Sequence, residues 1–188
     1  MRIVTGLLKG RTIPYNSRKQ GDIRLTSGLL KEALFAMLGA DLNGQSFLDL
    51  CAGCGQIGLE AYSRGARATL NEPDRRRAAH LETLCNQWHL RNLALHRLKA
   101  QALIPHLEQA GHCFDYTYLD PPYRAQLDGQ PLSIALLRQI GSSALPAPQG
   151  LLFVQHQREL APPEEMDQLS ILRQRAYGNT TLSVYQRS

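Results

Sequence analysis

Cysteine and long apolar runs are both scarce in this chain, and each scarcity removes a class of function. The four cysteines, Cys51, Cys54, Cys85 and Cys113, are too few and too scattered for the disulfide framework of a small secreted domain. Cys51 and Cys54 have the spacing of half a structural zinc site, but nothing in the sequence supplies the other two ligands. No metal is expected, and the cysteines read as small fillers. The six histidines, His80, His89, His96, His106, His112 and His156, fall into no ligand spacing and read as surface or helix-end residues. No apolar stretch nears the roughly 20 residues that span a bilayer, and the amino terminus lacks the apolar core of a signal peptide. No membrane association and a cytoplasmic, reducing setting are expected. Internal repeats and low-complexity tracts are missing too.

What is present is an ordinary globular composition. The chain has 188 residues, 43% of them hydrophobic, with a mean hydropathy of −0.29. That is enough for one domain with a sizeable core, and a monomer is the default. Charge is unevenly placed. Residues 1–31 hold Arg2, Lys9, Arg11, Arg18, Lys19, Arg24 and Lys31 against the single acid Asp22. Seven less one is +6, which leaves the other 157 residues at −1 of the total +5. A localised basic face of this kind is the footprint of phosphate binding. Arg2, Lys9, Arg11, Arg18, Lys19 and Arg24 are the candidate nucleic-acid contacts. Tyr15, among them, is placed either to stack on a base or to fill a hairpin core.

Short apolar runs alternating with helical periods predict one doubly wound α/β unit with a mostly parallel sheet. Residues 1–15 read as a hairpin turning near Gly10, and residues 16–22 as a polar, mobile connector. Thr26 or Ser27 is placed to N-cap a helix whose apolar face is Leu30, Leu34, Met37 and Leu38. Strands are predicted over 46–51, 67–72, 93–98, 114–119 and 150–154. Helices over 56–64, 74–88, 101–110 and 131–141 separate them, with Asp74 capping the second. Residues 169–176 and 180–186 flank Gly178-Asn179 and predict a terminal antiparallel hairpin. The expected division is a basic amino-terminal hairpin extension, 1–25, and a main domain, 26–188.

Two motifs carry the chemistry. In the first, Phe47-Leu48-Asp49-Leu50 runs into Cys51-Ala52-Gly53-Cys54-Gly55-Gln56-Ile57-Gly58. Gly53, Gly55 and Gly58 reproduce G-x-G-x-x-G, which allows a tight turn, close approach of a ligand to the backbone, and close helix-on-strand packing. Cys51 and Ala52 lie in the same turn and belong to the same candidate ligand site. Glu72 ends the next strand, where a carboxylate can accept from two ribose hydroxyls. A dinucleotide site uses the same parts, so a nicotinamide-dependent oxidoreductase stays open. Asp49 tilts the choice, because a carboxylate at the turn repels a pyrophosphate and welcomes a cation. S-adenosylmethionine carries a sulfonium and an ammonium and no phosphate.

The second motif is Asp120-Pro121-Pro122-Tyr123, at the carboxyl end of the strand 114–119. Two prolines remove two backbone donors and hold the chain extended, so an acid and an aromatic are carried on a stiff support. Asp120 and the Pro121 carbonyl offer two acceptors to one amino group, and Tyr123 a stacking face to its ring. Together the motifs predict a methyl-donor site beside an amine-bearing base.

On these residues the chain resembles the RsmD-type family of 16S ribosomal RNA guanine-N2 methyltransferases. The resemblance extends to Met1–Gly6 with Gly10-Arg11, to Arg24-Leu25-Thr26 with Lys31–Phe35, and to Tyr177–Leu182. It implies a class I, Rossmann-like fold with a seven-stranded sheet, S-adenosylmethionine as cofactor, and ribosomal RNA within a small-subunit particle as substrate. Leu25 stands where the family usually has proline. Ala100-Gln101-Ala102 stands where many relatives carry an acid for the adenine amino group, so Gln101 is the candidate for that contact. Adenine-N6 methyltransferases use the same four residues as the second motif, and a relative that clamps RNA without turnover is a further alternative.

Overall fold

The computed structural model describes residues 1–187. Its secondary structure divides into two compact units, Met1–Lys99 and the remainder from Ala100.

In the first unit, the amino-terminal segment folds back on itself through a bridge between Arg2 and Thr12, with Ile3 N donating to Arg11 O and Ile13 N to Met1 O. Ile3, Leu8 and Ile13 are buried in one cluster with Leu59, Leu70, Leu81 and Leu84. The segment 16–22, expected to be a mobile connector, instead contains a short helix, α1 (Ser17–Gln20), capped by the Asn16 side chain. Tyr15 holds its far end: the hydroxyl donates to Gly21 O and accepts from Ile23 N. Sequence propensity missed this because the staple joins residues six and eight positions apart through one side chain.

Ser27 caps α2 (Gly28–Leu38) by accepting from Leu30 N. Its buried face is Leu30, Lys31, Leu34, Phe35 and Leu38, with Met37 only half-buried. Strands β1 (Ser46–Asp49), β2 (Arg67–Asn71) and β3 (Ala94–His96) are parallel, in the order β3-β2-β1. Helix α3 (Gly58–Ser63) crosses from β1 to β2, and α4 (Arg75–Gln87) from β2 to β3. Asp74 caps α4 by accepting from Arg76 N and Arg77 N.

The second unit begins with α5 (Ala100–Gln109), followed by β4 (Phe114–Leu119). A small ribbon of β5 (Gln126–Leu127) and β6 (Gln130–Pro131) leads into α6 (Leu132–Gly141). Strand β7 (Pro146–Gln157) lies parallel to β4, with Leu119 opposite Val154. After β8 (Glu165–Met166), strands β9 (Leu169–Tyr177) and β10 (Thr180–Arg187) form the expected hairpin, in the order β4-β7-β10-β9-β8. Gly178 supplies a φ of +64° to its two-residue turn. Leaving aside the separate β5–β6 ribbon, the strands number three and five, one more than the class expectation; the extra one is the two-residue β8, too short to leave a period in the sequence. Among the described residues, no helix is long and apolar enough to cross a membrane.

Candidate active site

The glycine turn is built by local necessity. Gly53 and Gly55 have φ of +57° and +84°, a region that costs a side-chain-bearing residue about 1 kcal/mol or more. Gly58 is required by packing rather than by φ. A Cβ there would lie 2.7 Å from Leu70 Cδ1 and Cγ, so α3 can sit on β2 only without one. Gly58→Ala is therefore expected to lower stability by about 1–3 kcal/mol and to weaken adenosylhomocysteine binding, read by thermal unfolding and calorimetry.

Asp49 is 1% exposed, and its Oδ2 accepts from Gly58 N at 2.9 Å. This bears on the cofactor. Dinucleotide phosphates use the free N–H groups where the helix starts, and here a protein carboxylate has taken the Gly58 donor and brought a negative charge with it. A ligand without phosphate fits this turn, and a cationic one fits it best.

Glu72 is also more occupied than its sequence position suggests. It is 3% exposed; Oε2 accepts from Gly53 N at 2.8 Å, and Oε1 from Asp74 N at 2.8 Å and from the Arg77 guanidinium at 2.9 Å. The carboxylate thus joins the glycine turn, the end of β2 and the start of α4. Arg77 belongs to this cluster, and the sequence reading missed it. Its signal was faint: an arginine three positions after a helix N-cap. Ala52 is buried, with its N–H donating to Asn71 O at 2.8 Å and its carbonyl accepting from Gly55 N at 2.7 Å. Cys51 is half-buried. Burial pushes the Cys54 thiol up to about 11, which keeps it protonated and inert as the filler it was expected to be. Cys113, by contrast, is exposed.

In the second unit β4 delivers Asp120 at its carboxyl end, half-exposed, with Pro121 buried and Pro122 exposed. Pro122 O accepts from Ala125 N at 2.9 Å, whereas among the described residues none donates to Pro121 O. The Tyr123 hydroxyl lies 3.0 Å from Thr180 Oγ1, which ties the ring to the first residue of β10. A cavity of about 320 Å³, counting open space at its mouth, is lined by Pro121, Pro122, Tyr123, Leu132 and His156 among others. Thr180 entered the sequence reading as the start of a predicted strand and as part of a family signature, and not as a partner of Tyr123. Gln101 is half-exposed on α5, and its main-chain carbonyl accepts from Gln139 Nε2 at 2.9 Å.

His156 corrects the expectation of surface or helix-end histidines: it is 1% exposed, on β7. Its Nδ1 is 2.7 Å from Gln157 O and its Nε2 2.7 Å from Ser183 Oγ. A carbonyl only accepts, so Nδ1 carries the proton, and Ser183 donates to Nε2 while accepting from Gln174 Nε2 at 2.8 Å. Burial pushes the imidazole below its ordinary 6.5. The unfolded chain then binds a proton that the folded one refuses, so stability is unaffected above about pH 6.5 and falls as pH drops below it. The expected result is a melting temperature that declines between pH 7.5 and pH 5.5, with a shallower decline in His156→Gln.

The six candidate RNA contacts, Arg2, Lys9, Arg11, Arg18, Lys19 and Arg24, are all exposed in the first unit, and the Arg11 guanidinium lies 5.3 Å from the Trp88 ring centroid. Lys31 does not share that exposure. It is 5% exposed and pairs with Glu60 Oε2 at 2.8 Å, so its charge is spent inside and not on the basic face.

These strand orders, with a glycine turn after β1, an acid at the end of β2 and Asp-Pro-Pro-Tyr after β4, define a class I S-adenosylmethionine-dependent methyltransferase. The family described as conserved hypothetical protein 95 matches residues 1–186. The chain belongs to that family, the RsmD-type group that its motifs resemble. Among its relatives, YlbH of Bacillus subtilis (strain 168) is 31% identical over 100% of this chain and 99% of its own. Ribosomal RNA small subunit methyltransferase D of Escherichia coli (strain K12) is 30% identical over 100% and 90%. The solved structure of yhhF from Escherichia coli superposes with a TM-score of 0.81 at 27% identity, covering 100% of this chain and 98% of that one.

Proposed function

We propose that this enzyme transfers a methyl group from S-adenosylmethionine to the exocyclic N2 of a guanine in small-subunit ribosomal RNA. The observation that carries the reading is the Asp120–Tyr123 corner, where a strand-end acid, a carbonyl with no described protein donor and a tethered aromatic ring stand together. The names borne by full-length relatives support the ribosomal substrate. Cytoplasmic action as a monomer, on RNA within the small-subunit particle, completes the proposal.

When bound, the cofactor supplies an electrophilic methyl group on a sulfonium. Asp49, Glu72 and the backbone of Cys51, Ala52, Gly53, Gly55 and Gly58 would hold it, with Gln101 at the adenine. Asp120 and Pro121 O accept the two hydrogens of the guanine amine and fix it in one orientation. The nitrogen lone pair, otherwise shared with the ring, is turned outward, and the carboxylate stabilises the positive charge that develops on nitrogen. Tyr123, held through Thr180, stacks on the base after it leaves its helix. The methylated nitrogen is acidic enough to lose its proton to water, so no strong base is required. Positioning supplies most of the rate. The exposed Arg2, Lys9, Arg11, Arg18, Lys19 and Arg24 dock the phosphates of the substrate, with residues 1–25 acting as an RNA-binding extension of the domain over 26–188.

Nucleoside mass spectrometry of ribosomal RNA from cells with and without the protein tests this reading. Loss of one N2-methylguanosine is the expected result. An unchanged level of N2-methylguanosine, with loss of N6-methyladenosine, would reassign the base.

A further inference from the structure

Strands at the edge of a sheet leave backbone groups unpaired, and charged side chains commonly guard them. Strand β8 pairs with β9 only at Leu169 and Ser170, and every residue of β9 from Leu172 to Ala176 is exposed. Alternation sorts these side chains onto two faces. Gln174 reaches buried Ser183 Oγ at 2.8 Å, which places Arg173, Arg175 and Tyr177 on the opposite face. There the Arg175 guanidinium lies 5.7 Å from the Tyr177 ring centroid, giving a flat cationic platform. Tyr177 is in register with Thr180, whose hydroxyl meets that of Tyr123. One face therefore runs from Arg173 through Arg175, Tyr177 and Thr180 to Tyr123. The β10 partners of the two arginines, Val184 and Leu182, are buried, so the arginines form an exposed rim along a packed sheet. The acids Glu164, Glu165 and Asp167 lie just before β9, and from Gln168 onward the sequence has three arginines and no acid. Among the described residues, neither Arg173 nor Arg175 has an ion-pair partner.

We propose that this face is a docking track for single-stranded RNA next to the target nucleotide. Arg173 and Arg175 take successive phosphates, and the Arg175–Tyr177 platform stacks under a base that flanks the one handled by Tyr123. The track rests on the reading of Asp120–Tyr123 as the corner that handles the base. A bare edge can also accept an added peptide strand. Two arginines on one face with an aromatic beside them fit a polyanion with stackable rings better.

The test uses the full chain and a short fluorescent single-stranded RNA, with affinity measured by anisotropy over a range of salt. R173A/R175A is expected to bind about tenfold more weakly, and the slope of log affinity against log salt should fall by about 1.4, two contacts at about 0.7 each. R173K/R175K should restore the slope, and Tyr177→Ala should cost about tenfold in affinity at an unchanged slope. Adenosylhomocysteine binding and the melting temperature, unchanged throughout, show that the variants are folded. RNA affinity and slope equal to wild type in R173A/R175A and in Tyr177→Ala would overturn the track and hand the edge to a peptide strand. The base-handling corner would survive that result, because its own test is loss of methyl transfer in Asp120→Ala. Wild-type protein that bound no single-stranded RNA would likewise overturn the track, and would leave the corner to its methyl-transfer test on the small-subunit particle.

Discussion

Asp120→Ala is expected to lower the rate of methyl transfer by about two to three orders of magnitude while adenosylhomocysteine still binds. The size follows from the role. An acceptor aimed at charge that develops only in the transition state is worth about 2.7–4 kcal/mol, whereas one that merely binds the ground state changes KM and leaves kcat alone. Asp120 is half-exposed at the end of β4, so its removal opens no core cavity and stability should hardly move. Asp120→Asn is the sharper variant. It keeps the shape and one acceptor oxygen but loses the charge, and the amide nitrogen it introduces repels the amine hydrogens in one of its two orientations. Single-turnover methyl transfer to ribosomal RNA, paired with calorimetry of adenosylhomocysteine, measures both quantities. A kcat within a factor of a few of wild type in both variants would remove Asp120 from the chemistry.

The largest effect on stability is expected at Glu60, far from any reacting atom. This carboxylate on α3 is 0% exposed and answers donors from four residues: Lys31 Nζ at 2.8 Å, the Arg64 guanidinium at 3.1 and 3.2 Å, Val4 N at 2.9 Å and Thr5 N at 3.1 Å. It therefore ties the amino-terminal segment, α2 and α3 to one point. Glu60→Ala leaves two cations whose side chains are 6% and 8% exposed without their counter-charge, together with two backbone donors to satisfy. Breaking a buried ion pair from one side costs about 3–5 kcal/mol. At about 2–4 °C per kcal/mol for a chain of this length, the melting temperature should fall by about 6–20 °C. Glu60→Gln keeps an acceptor for the backbone and should lose less. A melting temperature within about 2 °C of wild type in Glu60→Ala would show that the cluster contributes specificity and no net stability.

The two cases differ in how far the sequence reached. Asp120 could be found because its neighbours in the chain determine its setting: an apolar strand before it and two prolines after it. The glycine turn, the caps at Ser27 and Asp74, and the β9–β10 turn at Gly178-Asn179 were legible for the same reason, since each is decided by residues within a few positions. Glu60 sits in an equally plain helical pattern, yet its partners lie 4 to 56 positions away. Nothing local marks it as the buried member of a network.

Order and type of the elements, the positions of both motifs and the basic bias of the first 31 residues are thus properties of the chain as written. They depend on short-range sterics, hydrogen-bonding capacity and hydrophobic period. Which charges face water was settled only by the fold. Lys31 went inward to Glu60 while Arg2, Lys9 and Arg24 stayed outside; Glu72 was claimed by Gly53, Asp74 and Arg77; His156 on β7 was buried against Ser183 of β10. Burial and pairing are set by whatever the rest of the chain brings alongside, and desolvation makes that company decisive for every ionisable group.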